Sequence, residues 1–371
     1  MNPIGMSLRG NLKIVFLTPY PHDTAPGQRF RFEQYYDILQ GHGYQLTLLS
    51  FFSEGGYAKL QGRGTRLLVP LFIFWGFARR LFHLSMVVRT DFVFLFREAA
   101  PVGPPIIEWI VSKVLKKKII YDFDDAIWLT DRTDESKLEK LIRWRSKVGQ
   151  ICKWSYRVSC GNAYLAAYSK QFNLNVIVNP TTIDTKSKHN QTKKLLISPS
   201  SNSSVTIGWT GSHSTLKYLT EIESTLRQLE TKFDHVRFIF IADRRPQLNL
   251  TRFVFIDWNK ESEIEDLLKI DIGIMPLPDD EWTKGKCGFK VLQYMSLGIP
   301  AVASPVGVNS EIIDHGVNGF LCLTHEDWVE CLEKLITNLT LRKQMGVEGR
   351  KKIISNYSVV SNSSLFLGLF S

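Results

Sequence analysis

The chain has 371 residues, 44% of them hydrophobic and 22% charged, with 25 glycines and 15 prolines. That composition can bury real cores, and it excludes disordered, collagen-like and low-complexity classes. The formal charge of +10, from 46 Lys and Arg against 36 Asp and Glu, favours anionic partners: nucleic acid, anionic lipid or phosphorylated substrates.

A length prior of roughly 100–200 residues per domain points to two domains. The five cysteines, Cys152, Cys160, Cys287, Cys322 and Cys331, are widely spaced and contain no Cys-x-x-Cys pair. This usage fits reduced thiols in a reducing compartment better than a disulfide framework or a zinc site. The first apolar run, Ile14 to Leu17, follows Lys13 and is too short for a signal peptide. A cytoplasmic protein is the expectation.

In chain order, LKIVFLT (12–18) reads as a buried parallel strand bounded by Pro19 and Pro21. Phe32, Tyr35, Tyr36 and Leu39 fall at helical spacing, with Gly41 where a helix ends. YQLTLLS (44–50) is the next strand. The segment Leu67 to Ala78 holds about 12 apolar residues, against the roughly 20 a spanning helix needs. Two readings stay open for it. One is a buried helix or loop; the other is an interfacial element with Phe72, Phe74, Trp75 and Phe77 in lipid and Arg66, Arg79 and Arg80 on headgroups. DFVFLF (91–96), a helix after Pro104-Pro105, and KIIYDFD (118–124) complete the first half.

The stretch from about Asp184 to Ser204 is rich in Lys, Ser and Asn and reads as a linker. Alternation then restarts: VTIGW (205–209), a helix from Ser214 to Phe233, VRFIFIA, RFVFID, DIGIMPL, a helix around Phe289–Leu297 and PAVAS (300–304). The expected architecture is α/β, with two Rossmann-like domains whose mostly parallel sheets face an interdomain cleft. Domain bounds are expected at 1–187, with 356–371 packing back on it, a linker at 188–204, and 205–355. Ligands in such sheets bind beyond the carboxyl ends of the strands.

Four loops there carry candidate chemistry. In GKCGFKVLQYMSLGIPAVASPVG (285–307), a helix beginning near Gly288 would bury Val291, Leu292 and Met295 and place Lys286, Lys290 and Gln293 on another face. Two ammonium groups at a helix N-terminus suit a diphosphate, though a solvated Lys face has the same spacing. In GWTGSHSTLKYL (208–219), Thr210, Gly211 and Ser212 could offer backbone and hydroxyl donors to phosphate, with Ser214 or a neighbour as cap and Lys217 a turn further on. It is not a P-loop. In TPYPHDTAPGQRFR (18–31), Gly27, Gln28 and Arg29 open a helix and suit a hydroxyl-rich or charged ligand; the plainer alternative pairs Arg29 with Glu33. Asp122, Asp124 and Asp125 end a strand, where they could bind a divalent metal, or cap the next helix and bind an acceptor. The basic character elsewhere favours charge neutralisation without metal. No aromatic-basic alternation supports nucleic-acid binding.

At these residues the chain resembles the retaining glycosyltransferases of family 4, the group 1 type with the GT-B fold. DFVFLFREAAPVGPP, KIIYDFDDAIWL and VSCGNAYLAAYS…VIVNPTTID look like that family's first domain. GWTGSHSTLKYL, DIGIMPL, GKCGFKVLQYMSLGIPAVASPVGVNSEII and GVNGFL look like its donor-binding domain. The resemblance implies transfer of a sugar from a nucleotide diphosphate sugar to a saccharide or lipid-linked acceptor with retention. It also implies no required cofactor or metal and a role in cell-surface polysaccharide or glycolipid synthesis; the charge and the aromatic segment at 67–78 add an anionic membrane surface as a second expected partner. By motif, Lys290, assisted by Lys286, would neutralise the diphosphate. Gln293 stands where the family has a ribose-binding glutamate, and the family's other glutamate aligns with Gly285. Gly307, Val308 and Asn309 would present N–H groups to phosphate or sugar, with Glu311 following. His22 and Asp125 are the nearest counterparts of the family's histidine near the anomeric carbon. A non-catalytic nucleotide-sugar binder and a sugar-nucleotide epimerase are the alternatives.

Overall fold

The computed structural model describes residues 12–61, 68–132, 135–193 and 204–371. Arg66 and Leu67, and residues 194–203 of the expected linker, lie outside the described residues. The chain divides into two compact units, Met1–Thr181 with Asn362–Ser371, and Thr182–Ser361.

The first unit is a six-stranded, all-parallel sheet of β1 (Lys13–Thr18), β2 (Gln45–Ser50), β3 (Phe92–Phe96), β4 (Lys118–Phe123), β5 (Arg157–Cys160) and β6 (Val176–Val178), in the order β2-β1-β3-β4-β5-β6. The near-continuous apolar runs of β1 and β3 are what a sheet covered on both faces requires. Phe16, Phe32, Phe94 and Phe96 pack at centroid distances of 5.1–5.4 Å. Phe366, from the chain end, stacks on Tyr35 at 4.1 Å. The periodic segment after β1 is not one helix. It breaks into Pro26–Arg31, a 3-10 turn Glu33–Tyr35, and Tyr36–Gly41, because Phe32 leaves helical geometry at φ −144°.

The helix Val69–Val87 joins β2 to β3, and among the described residues no helix is long and apolar enough to cross a membrane. Its exposed side carries Phe74 and Trp75, whereas Phe72 and Phe77 are half-buried, Phe77 against Phe51. Arg80 corrects the headgroup reading. It is fully buried, and its guanidinium donates to the carbonyls of Ala99 (2.7 Å), Leu49 (2.6 Å) and Thr18 (2.5 Å). Desolvation pulls its pKa down to about 9.

The second unit repeats the plan with β7 (Val205–Thr210), β8 (Val236–Ala242), β9 (Phe253–Asp257), β10 (Ile272–Met275), β11 (Ala301–Ala303) and β12 (Gly319–Leu321), ordered β12-β11-β10-β7-β8-β9. Numbered within the unit, this is 3-2-1-4-5-6 read from the other edge, the dinucleotide-fold order, with its switch point between β7 and β10. The corresponding point in the first sheet lies between β1 and β3. Trp209, Leu226, Phe240, Ile274 and Leu332 belong to the core of this second sheet. Within the polar stretch from Asp184, Lys186 and Ser187 donate their N–H groups to the Asp184 carboxylate, and Lys193 pairs with Asp271 at 3.1 Å.

Candidate functional site

Three loops meet at the switch point of the second unit. The helix Phe289–Ser296 starts at Gly288, which holds φ +67°, where a Cβ would also overlap Ile312. Only glycine fits without strain. The loop after β11 lies directly on this start: Gly288 faces Val308 and the Asn309 carbonyl oxygen of the side chain, while Gly307, at φ +54°, leaves 2.8 Å between its Cβ position and the Lys284 carbonyl. The Asn309 side chain is buried and donates to the Ser304 carbonyl at 3.1 Å, which fixes that loop. The end of β7 is latched to the same helix, because the Thr210 N–H donates to the Tyr294 hydroxyl at 3.0 Å.

Lys290 lies in the first turn of the helix, its ammonium 5.3 Å from the Trp209 ring centroid. Lys286 precedes the N-cap by two residues, so the two lysines do not share a helix face. Its ammonium sits 5.3 Å from the Trp282 ring. Both lysines are half-buried, a setting in which an aromatic face holds a cation without neutralising it. Gln293 departs from expectation more sharply. It is 2% exposed and donates through Nε2 to Glu263 Oε1 at 3.2 Å. The helix is buried all round from Val291 to Ser296.

The phosphate loop also changes. The N–H groups of Thr210 and Gly211 are both used inside the protein, by Tyr294 and by the Ile241 carbonyl, so neither offers its backbone donor to a ligand. Ser212, not Ser214, is the N-cap, and the following turn is a 3-10 helix, His213–Ile222, before the α-helix Glu223–Lys232. Ser212 and Ser214 share a hydroxyl bond of 2.8 Å, and Lys217 lies over its neighbour Tyr218. Asn309 spends its own N–H on Val306 (3.3 Å). Among the described residues Gly307 and Val308 show no protein acceptor for theirs. Glu311 is exposed, in the short helix Asn309–Ile312.

The first unit places its polar groups differently. Gln28 is fully buried and clamps the loop it was expected to open to a ligand: Nε2 donates to the Tyr20 carbonyl and Glu33, and Oε1 accepts the Tyr20 N–H. Arg29 pairs with Asp23 at 3.4 Å. Gly27 approaches Asp124, whose Oδ2 lies 3.3 Å from the glycine's Cβ position. None of the three aspartates stands alone. Asp122 accepts from Arg31 Nε (3.1 Å) and Nη2 (2.5 Å) with neither side chain exposed. Asp124 and Asp125 share Arg97, at 2.7 and 2.6 Å from Nη2. Burial, and then Asp125, pushes the Asp124 carboxyl up against the pull of Arg97. His22 is exposed and stacks on Tyr36 at 5.8 Å. Burial pushes the Cys152 and Cys160 thiols up to about 12, which removes both as nucleophiles at neutral pH.

Reading the sequence missed Arg97, Glu263, Trp209 and Trp282. Arg97 had a signal: a cation directly after the strand FVFLF, at the carboxyl end of a central strand. Glu263 had none, since its role depends on a contact 30 residues away.

Residues 204–338 match the family model of the group 1 glycosyl transferases, and no curated protein matches the chain. Over its whole length the chain is similar in fold to solved structures. Anabaena HepE in complex with UDP and glucose is 15% identical, covering 97% of this chain and 99% of that one at TM-score 0.64. Sucrose-phosphate synthase from Thermosynechococcus elongatus is 10% identical over the same shares, at TM-score 0.68. The catalytic domain of starch synthase IV from Arabidopsis thaliana, bound to ADP and acarbose, is 11% identical, again over 97% and 99%, at 0.68. The fold is therefore GT-B.

Proposed function

We propose that the chain is a glycosyltransferase that moves a sugar, of the hexose type, from a nucleoside diphosphate sugar to a saccharide or lipid-linked acceptor, with retention of configuration. The observation that carries this reading is the meeting of Lys286, Lys290, the start of the helix Phe289–Ser296 and the Gly307–Val308 N–H groups at one switch point, within the segment matching the group 1 model. Neighbours solved with UDP or ADP support the donor class.

A sugar leaving a diphosphate builds negative charge on the leaving oxygens. Fixed cations and N–H dipoles aimed there lower the barrier. In this reading Lys290 carries the larger share, Lys286 assists, and Gly307 and Val308 donate to phosphate or sugar. The hydroxyls of Thr210 and Ser212, with Lys217, line the phosphate side, and Gln293 acts on the ribose side jointly with Glu263. Asn309 and Glu311 position the loop after β11. Retention, as the resemblance implies, would come from same-face attack, a diphosphate oxygen taking the acceptor proton. Gly27, Arg29 and Asp124 would serve the acceptor, and His22 and Asp125 are the candidate counterparts of the family's histidine. A cytoplasmic location against the inner face of an anionic membrane, contacted through Val69–Val87, completes the reading.

The test is a panel of nucleotide sugars scored by thermal shift, followed by mass spectrometry of products with saccharide and lipid-linked acceptors. A mass increase equal to one glycosyl unit on an acceptor supports the reading. Donor binding without transfer or hydrolysis would turn the chain into a nucleotide-sugar binder.

A further inference from the structure

The first unit carries a short helix with an unusual balance. Lys137–Arg143 is closed by a capping box between Ser136 and Glu139 and buries none of its residues. Leu138 and Leu141 are each 64% exposed, and Ile142 and Trp144 stay open as well. Helices in soluble folds form because an apolar face is packed. Here that face is left largely exposed. Its charged residues are basic apart from Glu139, which is held by the cap and by Arg132 at 3.5 Å. Lys137, Lys140 and Arg143 make no ion pair among the described residues.

This helix is tied to the Val69–Val87 helix through one loop. Gly103 donates its N–H to the Ile142 carbonyl at 2.7 Å, and Ala99, four residues earlier, accepts from Arg80 at 2.7 Å. The same loop begins at Arg97, the residue that binds Asp124 and Asp125. Phe74 and Trp75 on the longer helix are 64% and 58% exposed. Two open apolar faces thus flank one loop, and the shorter is fringed by the cations Lys137, Lys140 and Arg143.

We propose that Lys137–Trp144 is a second membrane-docking element: it lies in the interface of an anionic bilayer with Leu138, Leu141 and Trp144 among the acyl chains and Lys137, Lys140 and Arg143 on phosphate headgroups. Apolar burial and attraction to anionic lipid act together on such a helix. The partner is a lipid surface rather than a protein, because the cations alternate with apolar residues along a segment of a chain whose net charge is +10. The inference rests on the transferase reading only in its consequence, that a lipid-linked acceptor reaches the Arg97 loop from the membrane.

Flotation of the full chain tests it, with vesicles of phosphatidylcholine alone or with phosphatidylglycerol at roughly one part in three. Wild type floats with the anionic vesicles, less so in high salt, and stays behind with the neutral ones. Leu138→Asp/Leu141→Asp and Lys137→Glu/Lys140→Glu each lower partitioning by more than about tenfold. Leu174→Asp, at a side chain 99% exposed elsewhere on the same unit, changes nothing. Melting temperature and nucleotide-induced thermal shift stay at wild-type values in all three variants. Flotation equal in wild type and both double variants overturns the proposal. So does a wild-type dimer that those variants dissociate, which would assign the face to a second copy. Docking with no glycosyl transfer leaves this inference standing and removes the transferase reading; transfer to soluble acceptors without docking does the reverse.

Discussion

The two units use the same sheet plan and treat charge at their switch points in opposite ways. In the first, arginines and carboxylates neutralise one another: Arg31 with Asp122, and Arg97 with Asp124 and Asp125. In the second, Lys286 and Lys290 lie over tryptophan rings, and the neighbouring backbone supplies N–H groups. Ion pairs satisfy charge and lock geometry, whereas a ring face attracts a cation by about 0.5–2 kcal/mol and leaves its charge in place. The difference separates a unit whose charges pair with one another across its loops from one whose two lysines are held against aromatic faces.

That contrast makes the largest predicted effect a stability effect in the first unit. Arg31→Leu leaves Asp122 buried without its partner, and such a break costs about 3–5 kcal/mol. Denaturant unfolding of the first unit should move to clearly lower midpoint; an unchanged midpoint would erase the distinction between the two sites. In the second unit the equivalent change acts on rate. Lys290→Ala should lower turnover by about 10²-fold, or ~3 kcal/mol in activation energy, with melting temperature unchanged. Wild-type turnover in that variant would remove Lys290 from the proposed role.

Gly288→Ala sharpens the same point at smaller scale. A Cβ at φ +67° strains the backbone and overlaps Ile312, a left-handed penalty of roughly 1–2 kcal/mol before any repacking. Because Val308 and Asn309 rest on this residue, nucleotide-induced thermal shift should shrink along with stability. Full retention of that shift would show that the loop after β11 is independent of the helix start.

Much of this was legible before any coordinates. The longer apolar runs of β1, β3, β4, β7 and β8 announce themselves, because strands largely buried on both faces leave little polar alternation. The short strands β5, β6 and β12 do not, since three or four residues between polar neighbours carry no period. At the sites, chain-local features were readable: Lys286, Lys290, Gly288 and Gly307 lie within one sequence block. What stayed hidden depends on contacts across the fold. Gln28 looked like a ligand group and is a buried clamp. The Thr210 N–H looked available and is taken by Tyr294, 84 residues away. Arg80 could belong to a buried element or to a headgroup contact, and three distant carbonyls bind it in the interior. Polar side chains advertise hydrogen-bonding capacity in a sequence; only packing decides who receives it.

The smallest predicted effect tests that buried arginine through its neighbour. His83 accepts from Arg80 Nη1 through Nδ1 at 3.2 Å. Burial, then Arg80 and Arg79, pull its pKa down to about 4. The unfolded histidine titrates near its ordinary value, about 6.5, so between these values the unfolded chain binds the extra proton. Stability from this group is therefore fully present above pH 6.5 and falls as the pH drops toward 4. One pH unit below the ordinary value the loss is about 1 kcal/mol. Other groups titrate in the same window, so the measurement is a difference: unfolding free energy against pH for wild type and for His83→Gln, which can keep an acceptor for Arg80 and does not titrate. The variant should show the shallower acid slope. Parallel slopes would mean that His83 remains protonated beside the guanidinium, and that the first unit tolerates an unpaired charge of the kind its ion pairs otherwise remove.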